Sequence, residues 1–134
     1  MLRIYVDAAT KGNPGPSGGG IVVTGEQIHE QLHFSLGECS NHEAEFKILI
    51  LALEWLINHQ FTTTSIFLHS DSKTVVQTID KNYTGNPVFQ PYLKRFQQLE
   101  SHFTLLLIQW IPENKNKGAD NLARQALQKS LKGK

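Results

Sequence analysis

Cysteine, long apolar runs and net charge are all scarce in this sequence of 134 residues. Cys39 is the only cysteine, which excludes an internal disulfide and a zinc site built from cysteines, and we expect it to be a small buried side chain. The longest apolar run, Ile48 to Leu53, is too short to span a bilayer, and the N-terminus lacks the apolar core of a signal peptide. We therefore expect a cytoplasmic protein that has no membrane partner.

Length and charge distribution set the next limits. The chain is long enough for one domain with a real core and too short for two, so we predict a single domain over residues 1–134. Its formal net charge is +1, yet residues 1–114 carry 7 Lys and Arg against 11 Asp and Glu, whereas residues 115–134 carry 6 against 1. This basic tail is either a solvated helix face or a set of phosphate contacts.

The first candidate site residue is Asp7, which closes an alternating apolar stretch. Apolar residues recur at every second position from Leu2 to Val6, as in a strand, and the segment 11–20 that follows is rich in glycine and proline. That segment lacks the spacing of a phosphate-binding P-loop and leads into predicted strands over 19–24 and 31–36. Asp7 is thus predicted at the exit of a strand, with a turn or cap residue as the alternative.

A long helix follows these strands. Ser40 and Glu43 have the spacing of a capping box, and apolar residues then recur at helical intervals to about His59. Glu45 lies in the first turns, beside the apolar positions, and is predicted to point partly inward, whereas Glu43 has the capping role. The helix dipole alone would also favour a glutamate at this place, so both explanations stay open.

A second carboxylate at the end of a strand is Asp71. The stretch 65–69 predicts a strand, and a helix follows to near Asn82 with Asp71 or Ser72 at its cap. A helical crossover from the opening strand to this one makes the two strands parallel, and parallel strands share their carboxyl edge. We therefore expect Asp7 and Asp71 to be neighbours at that edge.

The last third of the chain predicts two helices around one strand. Pro91 suits the first turn of a helix, and the nearly continuous apolar run 104–111 predicts a central strand buried on both faces. Asp120 falls in the first turn of the last helix, where the helix dipole by itself would favour an aspartate.

Four carboxylates are thus predicted at one edge of the sheet: Asp7, Glu45, Asp71 and Asp120. Clustered without a counterion, they would repel and raise the pKa of one another. Oxygen ligands without clustered His or Cys suit Mg²⁺ or Mn²⁺, and several carboxylates can hold two ions. Because two ions can bind the attacking water and the leaving oxygen of a phosphoryl displacement, the arrangement implies phosphodiester hydrolysis.

Four short motifs occur in order along nearly the whole chain. They are Tyr5-Val6-Asp7 with Lys11-Gly12-Asn13-Pro14-Gly15-Pro16, Ser40-Asn41-His42-Glu43-Ala44-Glu45, His69-Ser70-Asp71-Ser72-Lys73 and Asn116-Lys117-Gly118-Ala119-Asp120. Together they resemble the type 1 ribonuclease H family. The resemblance implies an α/β fold with a ribonuclease H-like five-stranded mixed sheet and helices on both faces. It also implies cleavage of the RNA strand of RNA–DNA hybrids to 5′-phosphate and 3′-hydroxyl products.

The resemblance also implies roles for individual residues. Asp7 would bridge two Mg²⁺ or Mn²⁺ ions in the substrate complex. Glu45 and Asp71 would complete the shell of one ion, and Asp120 would join Asp7 on the ion that activates water. Hydroxyl and amide groups can contact the sugar-phosphate backbone of a hybrid. The residues that match such positions in the family are Asn13, Ser40 and Asn41.

Two departures from the family pattern keep a second function open. The loop 111–117 contains no histidine, although many members carry one there for proton transfer or product release. The segment 82–103 has only Lys94 and Arg95 where members with high hybrid affinity carry a basic protrusion. A catalytically weak or silent nucleic-acid-binding domain of the same fold is therefore an alternative, as is a nucleotide- or small-molecule-binding α/β domain. No protein partner is implied, and we expect no separate hybrid-binding module before the domain.

Overall fold

The computed structural model describes residues 1–133, and Lys134, the last residue of the predicted basic tail, lies outside them. Over these residues the chain forms five strands and four helices. In chain order these are β1 (Leu2–Thr10), β2 (Gly15–Thr24), β3 (His29–Cys39), α1 (Asn41–Asn58), β4 (Ile66–Ser70), α2 (Lys73–Lys81), α3 (Gln90–Glu100), β5 (Leu106–Trp110) and α4 (Lys117–Lys132). None of the helices described is long and apolar enough to cross a membrane.

The strands form one mixed sheet in the order β3-β2-β1-β4-β5. The first three strands pair antiparallel, whereas β1 with β4 and β4 with β5 pair parallel. Alternation along β1 divides the molecule into two layers: Ile4 and Val6 enter the main core with α1, and Tyr5 packs with residues of α4 on the other face. The predicted five-stranded mixed sheet with helices on both faces is confirmed.

The glycine-rich segment after Asp7 is mostly strand. The prediction that the first strand ends at Asp7 and the second begins at Gly19 was wrong, because β1 continues to Thr10 and β2 already begins at Gly15. A Cβ atom added to Gly18 or Gly20 would collide with the backbone of α4. Glycine is therefore needed here because the last helix packs closely against β2. A glycine-rich composition is also typical of loops, so the sequence alone could not show that this segment is a strand.

The apolar run near the C-terminus forms an edge strand, so the prediction of a central strand over 104–111 was wrong. β5 covers only Leu106–Trp110 and pairs with β4 alone. Leu105 and Leu107 are each 41% exposed. The apolar run therefore does not mean that this strand is buried on both faces.

Candidate active site

Three of the four predicted carboxylates converge on one point. Asp7, Glu45 and Asp71 each offer an oxygen atom, and these atoms all lie within 4.8 Å of one another. The three residues come from β1, from the first turns of α1 and from the loop after β4. Residues far apart in sequence thus form a compact group of acids that could hold a divalent cation.

The parallel pairing of β1 and β4 brings the two aspartates together. Val6 is the register partner of Ser70, so Asp7 and Asp71 follow neighbouring residues at the same end of the two strands. Asp7 stays within β1 and pairs with Gly20, while the chain leaves β4 before Asp71. The expectation that a shared strand edge makes them neighbours is therefore confirmed.

The start of α1 positions Glu45. Ser40 caps the helix by accepting a hydrogen bond from the Glu43 backbone N–H (3.2 Å), and Glu43 Oε1 lies 3.5 Å from the Ser40 backbone nitrogen. The predicted capping box is confirmed. Because Glu43 caps the helix, Glu45 has no capping role, and it lines the cavity instead. Glu45 Oε2 is shielded from solvent and accepts no hydrogen bond from the protein atoms described.

Burial and mutual repulsion make the negative charges of this group costly. Burial, together with the neighbouring Asp71 carboxylate, raises the pKa of Asp7 to about 8. Burial and the charges of Asp7 and Asp71 raise the pKa of Glu45 well above its ordinary value, and burial raises that of Asp71. An unpartnered buried carboxylate oxygen within such a group fits a bound cation, because a cation supplies both the missing charge and the missing contact.

Asp120 lies at the same cavity but is paired differently. It lines a cavity of about 690 Å³ together with the three clustered acids. Both of its carboxylate oxygens lie 3.1 Å from Arg124 Nε, one turn further along α4. The fourth predicted acid thus lies on the cavity wall, where it forms an ion pair with Arg124.

The three predicted substrate-contacting residues lie around the start of α1. The backbone N–H of Asn41 donates to Asn13 Oδ1 (3.0 Å), which joins the loop before β2 to the helix. Asn41 lines the cavity, and both asparagines are exposed. The hydroxyl of Ser40 is engaged with Glu43, so its role as a helix cap is the one the structure accounts for.

Asn116 is a site residue that sequence reasoning missed. Its Nδ2 donates to the Val6 carbonyl oxygen (2.8 Å) and to Asp71 Oδ2 (3.3 Å), while its Oδ1 is buried without a partner among the described atoms. This one amide fixes the start of α4 against β1 and orients the Asp71 carboxylate. A polar residue four positions before Asp120 was the available signal, but its partners are set by tertiary structure.

Comparisons with known proteins agree with this geometry. Residues 5–126 match the protein family described as "Reverse transcriptase-like". The chain is 64% identical over 129 residues to "Putative hydrolase EbsB" of Enterococcus faecalis, covering 96% of each chain. It spans only 35% of the length of mycobacterial proteins that match it at 30% identity.

Solved structures are similar over nearly the whole chain. The crystal structure of LC11-RNase H1 in complex with an RNA/DNA hybrid has a TM-score of 0.89 at 28% identity, covering 98% of this chain and 99% of that one. RNase H1 from the halophilic archaeon Halobacterium salinarum has a TM-score of 0.87 at 30% identity, covering 96% and 98%. With its sheet topology and its convergent acids, the chain therefore belongs to the type 1 ribonuclease H family.

Proposed function

We propose that the chain is a metal-dependent endonuclease that hydrolyses the RNA strand of RNA–DNA hybrids, leaving 5′-phosphate and 3′-hydroxyl ends. The convergence of Asp7, Glu45 and Asp71 within 4.8 Å carries the proposal, because a domain that only binds nucleic acid gains nothing from three mutually repelling acids. The similar LC11-RNase H1 was solved with an RNA/DNA hybrid, which supports the choice of substrate. We further propose that residues 1–134 act as a single cytoplasmic catalytic domain.

The donor set suits two Mg²⁺ or Mn²⁺ ions in the substrate complex. Asp7 would bridge them, Glu45 and Asp71 would complete the shell of one, and Asp120 would join Asp7 on the other. Bound ions of this kind supply an activated water and stabilise the charge on the leaving oxygen.

Other residues of the chain act by positioning. The amide of Asn116 holds the Asp71 carboxylate in the orientation that ligation needs. At the start of α1, Asn41 and Asn13 are joined by a hydrogen bond and present polar groups to the sugar-phosphate backbone. The hybrid would thus be held between the start of α1 and the loop after β4, with its scissile phosphodiester over the acids.

A nucleic-acid-binding domain with negligible cleavage is the second candidate. The pairing of Asp120 with Arg124 favours it, because an acid engaged by a cation of the protein is less available to a metal. The absence of histidine from residues 111–117 favours it as well.

A labelled RNA–DNA hybrid separates the two candidates. We expect cleavage in Mg²⁺ or Mn²⁺ that is lost on chelation and in Asp71→Asn, whereas the exposed Asp80→Asn on α2 serves as a control that keeps it. Products should carry 5′-phosphate, measured by phosphatase-sensitive labelling. Retention of the hybrid without cleavage would support the binding domain, and cleavage that survives chelation would contradict the metal-dependent mechanism.

A further inference from the structure

A lysine and a tryptophan form a pair at the rim of the cavity. Lys73, at the start of α2, places its ammonium nitrogen 5.1 Å from the centre of the Trp110 ring. A cation within about 6 Å of an indole ring is attracted to it, so the two side chains hold each other in place. Lys73 lines the cavity, so this pair lies beside the acids.

Trp110 is anchored and yet remains accessible. Its indole N–H donates to the Asp71 backbone carbonyl oxygen (3.2 Å), which ties the ring to the loop that carries a clustered acid. The residue is nevertheless 43% exposed. An aromatic ring that is fixed along one edge and open to solvent on the remainder offers a preorganised contact surface.

We propose that Lys73 and Trp110 form a second contact surface for the RNA strand, at the ends of β4 and β5, whereas Asn13 lies in the loop between β1 and β2. The Lys73 ammonium binds a phosphate next to the scissile one, and the Trp110 ring packs against the adjoining ribose. This inference rests on the proposed function.

Charge and location favour a nucleic-acid backbone as the occupant. A phosphate chain that crosses the acids needs a cation at the rim, and Lys73 is a cation already placed at the cavity. Packing of the ring against a ribose touches no base edge, so this contact does not depend on the base sequence. The bond from the Trp110 indole to the Asp71 carbonyl oxygen also places this surface directly beside the clustered acids.

Hybrid binding should be measured in an Asp7→Asn background, in which cleavage is expected to be lost. Lys73→Gln should raise the Kd about threefold to tenfold and reduce the salt slope by about 1, because one phosphate contact is removed. Lys81→Gln, which removes the same charge from the exposed far end of the same helix, should change neither quantity.

The two tryptophans of the chain allow a direct optical test. In Trp55→Phe, Trp110 is the only source of tryptophan emission, and that emission should change when the hybrid binds. In Trp110→Phe, only Trp55 emits, and its emission should stay constant, because that ring stacks on His59 (3.9 Å) near the far end of α1. Trp110→Phe should also bind the hybrid better than Trp110→Ala, since it keeps a ring and loses only the indole N–H.

An unchanged salt slope in Lys73→Gln, or constant Trp110 emission on binding, would overturn this inference while leaving the proposed function intact if the unmodified chain cleaves the hybrid. If the unmodified chain neither cleaves nor binds the hybrid, the proposed function fails and the contact surface fails with it.

Discussion

The cavity holds its acids in two different ways. Among residues 1–133, no ion pair joins Asp7, Glu45 or Asp71 to a cation of the protein, whereas Asp120 pairs with Arg124. The three clustered acids come from separate elements, so only the complete fold brings them together. The Asp120 pair spans a single helical turn, so the local sequence of α4 is enough to form it.

The three clustered acids repel one another, whereas the charge of Asp120 is balanced by Arg124. The fold stabilises the clustered acids poorly, as the raised pKa of Asp7 indicates, and a bound cation would relieve that cost. The Arg124 side chain is exposed, so its pairing with Asp120 is weak and easily exchanged. Under the proposed function, the three clustered acids would hold the metal ion, and Asp120 could exchange Arg124 for it.

Removing one clustered acid should have the largest effect. Asp7→Asn should lower kcat about 10²- to 10⁴-fold, because Asp7 is proposed to contact both ions and several kcal/mol of charge stabilisation would be lost. Single-turnover cleavage at saturating Mg²⁺ measures the loss. The exposed Asp80→Asn should retain the parent rate, and near-parent cleavage by Asp7→Asn would contradict the assignment.

Removing the hydrogen bond that orients Asp71 should have the next largest effect. Asn116→Ala removes the donor to Asp71 Oδ2 and should lower kcat/KM about 10- to 100-fold, as expected for a residue that orients a metal ligand. The Mg²⁺ concentration for half-maximal rate should rise as well, which a purely structural defect would not cause. Asn121→Ala, at an exposed position of α4, is the matched control. An unchanged Mg²⁺ dependence would contradict the positioning role.

Much of this comparison could be predicted from sequence because it depends on local patterns. The capping box of α1 and the first turn of α4 follow from residues close together along the chain. The strand and helix patterns also predicted a helical crossover, and the parallel strands that it joins bring Asp7 and Asp71 together at one edge of the sheet. The resemblance to the family was confirmed by the comparisons.

The rest depends on contacts between distant residues. Asn116 bonds to Val6, 110 positions away, and no local pattern marks that pair. The edge position of β5 depends on strand order, which an apolar run cannot report. The metal number, the ligand roles and the contacts of Asn13, Ser40 and Asn41 with substrate stay predictions.

The pH dependence of stability should sharpen the comparison through the raised pKa of Asp7. A folded-state pKa of about 8 for Asp7 means that the metal-free folded protein binds more protons than the unfolded chain between about pH 4 and pH 8, so stability should fall as pH rises across this window. Asp7→Asn should recover about 1–2 kcal/mol of unfolding free energy at pH 8.

Thermal unfolding in chelator at pH 5 and pH 8 measures this slope. The lowered pKa of buried His69, caused by burial and by Arg3, acts in the opposite direction, and comparing the parent with Asp7→Asn cancels it. Equal slopes in the two proteins would contradict the raised Asp7 pKa. Added Mg²⁺ should raise the melting temperature more at pH 8 than at pH 5.

Removing the ion pair between Asp120 and Arg124 should have the smallest effect. Arg124→Gln frees Asp120 from its cation, so Mg²⁺ affinity should increase while kcat changes by no more than about threefold, because exposed pairs contribute little. Isothermal titration with Mg²⁺ measures the affinity, and Lys132→Gln near the end of the same helix controls for charge. A large fall in kcat without a change in affinity would show that Arg124 contacts the substrate instead.

The glycines of β2 determine how far Asp120 stands from the other acids. Because Gly18 and Gly20 lack a side chain, the main chain of α4 lies closer to β2 than any other residue at these positions would allow. A methyl group at either position would collide with the backbone of α4, so it should push the helix away from β2 and carry Asp120 outward. Either substitution would thus change the distance of Asp120 from the three clustered acids without replacing any residue that lines the cavity.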